Sequence, residues 1–160
     1  MNRTRILRAG ELRVAESPAR LSIHGLGSCV AVFVYDPRAR VGGMAHVLLP
    51  GPPKDPDAPS GRYATSAVAA VVEESIRLGA KRAALHAKVT GGSRMFAYDA
   101  AKDRPTVGDK NVEAVLGALR RAGVAIVATD VGGEHGRTVV ADLEDGSLTI
   151  TTVRGGSKVV

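Results

Sequence analysis

The sequence predicts an α+β protein, β-sandwich-like, with mixed or antiparallel sheets flanked by two or three helices. Runs rich in Val, Ile, Phe and Tyr outnumber the helical stretches, and only two stretches repeat apolar residues at helical spacing. Strands and helices also fail to alternate strictly, as a parallel sheet with crossover helices requires.

Residues 3–8 and 11–15 read as short extended segments around the turn Ala9-Gly10, and Ser17-Pro18 breaks the pattern. Leu21-Ser-Ile-His24 is a strand leading into Gly25-Leu-Gly27. Val30 to Tyr35, β-branched and aromatic, is a buried strand. Asp36-Pro37-Arg-Ala-Arg40 turns the chain, and Gly42 to Leu49 returns as the second strand of a hairpin. Prolines at 50, 52, 53, 56 and 59 make residues 50–61 a loop. Tyr63 to Leu78 is a helix with Ala64, Val68, Val71, Val72 and Ser75 along one face, stopped by Gly79. Arg82 to Val89 is a strand, followed by the Gly91-Gly92 passage and a loop over 98–106. A second helix runs from about Asp109 to Arg121, with Val112, Val115, Leu116 and Leu119 on one face. Val124 to Thr129 is a strand, and Arg137 to Leu143 with Ser147 to Val153 close a hairpin around Asp145-Gly146. Residues 1–160 read as a single domain, with the tail after Arg154 loose.

Composition narrows the function classes. No apolar run approaches the ~20 residues that span a bilayer, which argues against membrane insertion. The basic N-terminus lacks the apolar core of a signal peptide, so the cytoplasm is the expected compartment. Net charge is +6, from 22 Lys and Arg against 16 Asp and Glu. The positives are scattered, with no aromatic-interleaved basic patch, so nucleic acid is not the expected partner; an acidic protein surface fits the charge equally well.

The chemistry concentrates in two short stretches. Cys29, the single cysteine, follows Gly27-Ser28 at a turn and heads the strand beginning at Val30. A lone cysteine is commonly buried filler, but at a turn its thiol is partly accessible. Backbone N–H groups there, at Gly27 and Ser28, are available to a developing oxyanion. His46 lies seventeen positions later on the returning strand. Antiparallel pairing around residues 36–41 puts His46 level with Ala31 or Val32, near enough to Cys29 for a hydrogen bond; a slip of one residue turns it to the opposite face. His24, His86 and His135 form no pattern with metal-ligand spacing, and no phosphate-binding glycine motif is present. The residues alone point to a Cys–His hydrolase or transferase of unspecified substrate.

Gly25-Leu-Gly-Ser-Cys-Val30 with Gly42-Gly-Met-Ala-His-Val-Leu-Leu-Pro50 resembles the CheD family of chemoreceptor glutamine deamidases. The likeness continues through Gly61-Arg-Tyr-Ala64, Lys88-Val-Thr-Gly-Gly-Ser-Arg-Met-Phe96, Val107-Gly-Asp-Lys-Asn-Val112 and Asp130-Val-Gly-Gly-Glu-His-Gly-Arg137. These blocks keep the family's order over about residues 5–153. The resemblance implies an α/β sandwich similar to Cys–His toxin deamidases. It implies an enzyme that converts glutamines of methyl-accepting chemotaxis receptors to glutamates, without metal or organic cofactor. It also implies association with the phosphatase CheC.

Carried over by position, Cys29 matches the family's nucleophile and His46 its general base and acid. The family's third residue, a threonine six positions before the cysteine, is Ile23 here, which has no side-chain hydrogen bond to offer. Ser22 and His24 flank it but point to the other face of a regular strand. A backbone carbonyl or a water is left to orient His46. Ile23 also keeps a second reading in play, a weakly active or inactive binding partner of CheC or of receptors.

Overall fold

The computed structural model describes residues 3–95 and 104–160. Among these, two five-stranded sheets and two α-helices make a mixed α+β architecture. One sheet runs β1-β3-β8-β9-β10, from Arg3–Ile6, Ala19–Leu26, Arg137–Asp142, Leu148–Thr152 and Gly156–Val159. The other runs β2-β5-β4-β6-β7, from Leu12–Glu16, Val41–Val47, Val30–Asp36, His86–Gly91 and Ala125–Val131. Pairing is antiparallel except for β1 with β3 and β6 with β7.

The central strand of the second sheet, β4, is buried along its whole length because both of its faces are covered. Val30, Val32 and Val34 pack toward the helices, with Ala45 and Val47 of β5 and Val89 of β6. Ala31, Phe33 and Tyr35 face the other way, against Leu21, Ile23, Val139 and Ile150 of the first sheet. The core is therefore two layers, one between helices and sheet and one between the sheets. Each large apolar side chain buried there contributes on the order of 1.5–3 kcal/mol. The Tyr35 hydroxyl donates to the Leu143 carbonyl at 2.8 Å, so this ring is buried without an unpaired polar atom.

Helix α1 (Ala64–Arg77) buries Ala64, Ala67, Val68, Val71, Val72 and Ser75, the face its 3.6-residue period defines. Helix α2 (Val107–Arg121) opens with a capping box. The Thr106 hydroxyl accepts from the Asp109 N–H, and the Asp109 carboxylate accepts from the Thr106 N–H. Its buried residues include Asn111 beside Val115, Ala118 and Leu119.

Two expectations need correction. Arg82–Ala84 forms a single 3-10 turn, and the strand begins only at His86. Arg-Ala-Ala lacks the β-branched side chains that favour extended backbone. The tail after Arg154 is not loose: Gly156–Val159 adds to the edge of β9, and the Lys88 ammonium donates to the Val160 carbonyl at 2.7 Å. Main-chain pairing holds it, so its polar composition was no guide. The expected loop over 98–106 falls mostly on residues outside those described.

Candidate active site

Residues 27–29 connect β3 to β4, and their path is held on one side. The Gly27 carbonyl accepts from the Ser93 N–H at 3.0 Å, the Cys29 carbonyl from the Gly92 N–H at 2.9 Å, and the Ser28 carbonyl from the Asn111 amide at 3.0 Å. Three consecutive carbonyls are thus tied off. Among the described residues, no acceptor on another residue meets the N–H groups of Gly27, Ser28 or Cys29. The tight passage demands glycine opposite: a Cβ on Gly91 would overlap the Cys29 carbonyl oxygen, and one on Gly92 would overlap Val112.

The thiol is partly exposed and packs against the intersheet cluster. Burial is the larger influence on it and raises its pKa, opposed by its own backbone N–H. His46 is 7 % exposed and sits directly opposite Ala31 in the β4–β5 ladder. Strand alternation puts its imidazole on the same face as Met44, toward the intersheet layer where Cys29 packs. Burial lowers the His46 pKa, partly offset by hydrogen bonding to Leu7 and Arg8 and by the Glu11 carboxylate. The resting pair is therefore a neutral thiol and a neutral imidazole at pH 7.

The orienting group for His46 is main chain. Its Nδ1 meets the Leu7 carbonyl oxygen at 3.4 Å. A carbonyl only accepts, so Nδ1 carries the proton and Nε2 keeps its lone pair. No hydrogen bond joins the imidazole to the thiol among the described residues. The same connection between β1 and β2 grips the backbone of His46, with Gly10 N–H donating to the His46 carbonyl and His46 N–H to the Glu11 carbonyl, each at 2.9 Å. Ile23 lies fully buried in the intersheet core, and the β3–β8 register shifts just beyond it. His24 is exposed, and among the described residues the buried Ser22 hydroxyl has no partner, so neither side chain orients the imidazole.

Two further features escaped sequence reasoning. Asn111 donates to both the Ser28 carbonyl and, at 2.8 Å, the Leu48 carbonyl. Its signal was a polar side chain in the buried phase of a helix. Arg137, also buried, donates to the Ser93 hydroxyl at 2.6 Å and to Asp130 at 3.3 Å, and Ser93 in turn donates to the His135 carbonyl at 2.7 Å. This network steadies residues 91–93 behind the Cys29 turn. Among the described residues, no group of three or more His, Cys, Asp or Glu side chains is arranged to hold a metal ion.

Fold and site together define a two-sheet α+β protein with a thiol and an imidazole facing one intersheet layer. Comparison with known proteins narrows this. Residues 48–152 match the CheD family, described as CheD chemotactic sensory transduction. The chain is 41 % identical over 154 residues to "Chemoreceptor glutamine deamidase CheD" of Thermotoga maritima, covering 96 % of this chain and 95 % of that one. It is 39 % identical over 150 residues to "Probable chemoreceptor glutamine deamidase CheD" of Desulfitobacterium hafniense, covering 94 % of each chain. A solved structure, the Bacillus licheniformis hypothetical protein YfiH, aligns with a TM-score of 0.48 at 20 % identity, over 75 % of this chain and 50 % of that one. The chain belongs to the CheD family.

Proposed function

We propose that this protein deamidates glutamine side chains of methyl-accepting chemotaxis receptors to glutamate, releasing ammonia through a thioester on Cys29. Membership of a family whose relatives bear the name chemoreceptor glutamine deamidase is the observation that carries this reading. The turn holding Cys29 and the main-chain acceptor behind His46 support it.

As Cys29 Sγ adds to the carboxamide carbon, its proton passes to His46 Nε2, and the carbonyl electrons move onto oxygen. N–H groups of the turn, among them those of Gly27 and Ser28, stabilise that oxyanion. The tetrahedral intermediate collapses with cleavage of the C–N bond, and the nitrogen leaves with the His46 proton as ammonia. His46 then removes a proton from water as it attacks the thioester. Glutamate departs, and the proton returns to the sulfur. No cofactor takes part in this scheme. Receptor cytoplasmic regions are the substrate, CheC is a candidate partner, and the cytoplasm is the compartment where they meet.

The test is incubation of the chain with a receptor cytoplasmic fragment, following ammonia release and the amide-to-acid mass change. Wild type is expected to convert discrete glutamines, and Cys29→Ala to convert none while unfolding cooperatively. Deamidation retained in Cys29→Ala sinks the mechanism. Binding without conversion by the wild type favours the binding-partner reading instead.

A further inference from the structure

Asn111 is 0 % exposed, and its side chain makes two hydrogen bonds, both as donor. One amide hydrogen goes to the Ser28 carbonyl, the residue before Cys29, and the other to the Leu48 carbonyl, two residues after His46. Its Oδ1 is buried and, among the described residues, has no partner. An unpaired buried oxygen opposes folding, so an apolar side chain serves better at this place if filling space is the only role. What Asn supplies, and no apolar residue or carboxylate does, is two N–H donors on one atom.

Peptide planarity converts that anchor into an aimed group. In a trans peptide the C=O of one residue and the N–H of the next point in opposite directions. Holding the Ser28 oxygen toward α2 therefore turns the Cys29 N–H away from α2. The Ser93 N–H on the Gly27 carbonyl does the same for the Ser28 N–H. The Cys29 N–H lies close enough to its own sulfur to influence the thiol. On the proposed deamidase reading, this is where the reacting carbonyl oxygen develops its charge.

We propose that Asn111 is a positioning residue for the reaction. It aims the Cys29 N–H at the oxyanion through the Ser28 carbonyl, and through the Leu48 carbonyl it keeps that donor in fixed register with the strand carrying His46. This inference rests on the deamidase reading.

The experiment compares wild type, Asn111→Ala and Asn111→Ser, the last keeping one donor on a shorter side chain. Three quantities are measured: kcat and KM for a receptor cytoplasmic fragment, thermal unfolding, and the rate of Cys29 alkylation by iodoacetamide. Alkylation displaces iodide and builds no oxyanion, so it reports the nucleophile without its donors. In Asn111→Ala, kcat is expected to fall by about 10²-fold, the effect of losing one oxyanion donor. KM and the alkylation rate should stay near wild type, and Asn111→Ser should fall in between. Wild-type kcat in a folded Asn111→Ala chain overturns the proposal, as does an alkylation rate that falls in step with kcat. If Asn111→Ala and Asn111→Ser both fail to fold, Asn111 serves the fold alone and the proposal is again overturned. A wild-type chain that alkylates but releases no ammonia removes the deamidase reading, and the positioning role with it.

Discussion

Gly91→Ala tests how far the Cys29 turn depends on close packing. Gly91 sits at φ +110°, and a Cβ there would overlap the Cys29 carbonyl oxygen and lie 2.9 Å from Leu26 Cδ2. Leu26 is fully buried and the Cys29 oxygen is held by the Gly92 N–H, so neither can simply step aside. Backbone strain at a positive φ costs about 1–3 kcal/mol. Overpacking a buried position adds about 1–3 kcal/mol. At about 2–4 °C per kcal/mol for a domain of this size, Tm should fall by roughly 5–20 °C. The control is Gly79→Ala, at φ +124° with no atom within 4 Å of the added Cβ, which carries the strain without the clash. Calorimetry on both variants separates the two contributions. Because the displaced atom belongs to Cys29, turnover at a temperature where Gly91→Ala is still folded should also fall, by about 10²-fold for a shift near 1 Å. Gly79→Ala should keep full turnover. A Gly91→Ala protein with the Tm of Gly79→Ala and normal turnover refutes the packing argument.

Burial raises the Cys29 pKa above its ordinary 9.0, so the thiolate fraction at pH 7.5 should lie below about 3 %. The iodoacetamide rate should therefore climb through an alkaline midpoint, and a plateau already reached by pH 8 contradicts the geometry. His46 has a folded pKa below its ordinary 6.5, so the folded state binds fewer protons than the unfolded one. Its contribution to stability is complete above pH 6.5 and is lost as pH falls from there through the lower folded value; urea unfolding should show this slope in wild type and lose it in His46→Gln. Arg137→Met removes the guanidinium from which the Ser93 hydroxyl and part of the Asp130 carboxylate accept, and should cost about 3 kcal/mol by urea denaturation. Adding Asp130→Asn should recover part of that loss; no recovery means the ion pair is not its source.

The hairpin that carries Cys29 and His46 was legible because it is local. Val30 to Tyr35 is an unbroken β-branched and aromatic run, Asp36-Pro37 marks the turn, and the pairing that follows puts Ala31 opposite His46. Both helices were legible from their period, though the start of α2 lay two residues earlier than expected, where Thr106 and Asp109 cap it. Asn111 was hidden by its chemistry, since a polar residue on an apolar stripe identifies burial but not its partners. The 3-10 turn at Arg82–Ala84 and the pairing of β10 depend on neighbours distant in sequence. The Leu7 carbonyl was least legible of all. It arises because β1 and β2, only a few residues apart, enter different sheets, and the crossing between them passes His46.

That crossing has an evolutionary implication. A threonine that steadies a histidine can be lost by a single codon change, whereas every amino acid brings a carbonyl. Here the steadying role is encoded in the route of the chain, which leaves the Ile23 side chain to the core. A search template requiring a third polar side chain would pass over this site. One that asks which atom, of any origin, faces Nδ1 would retrieve it.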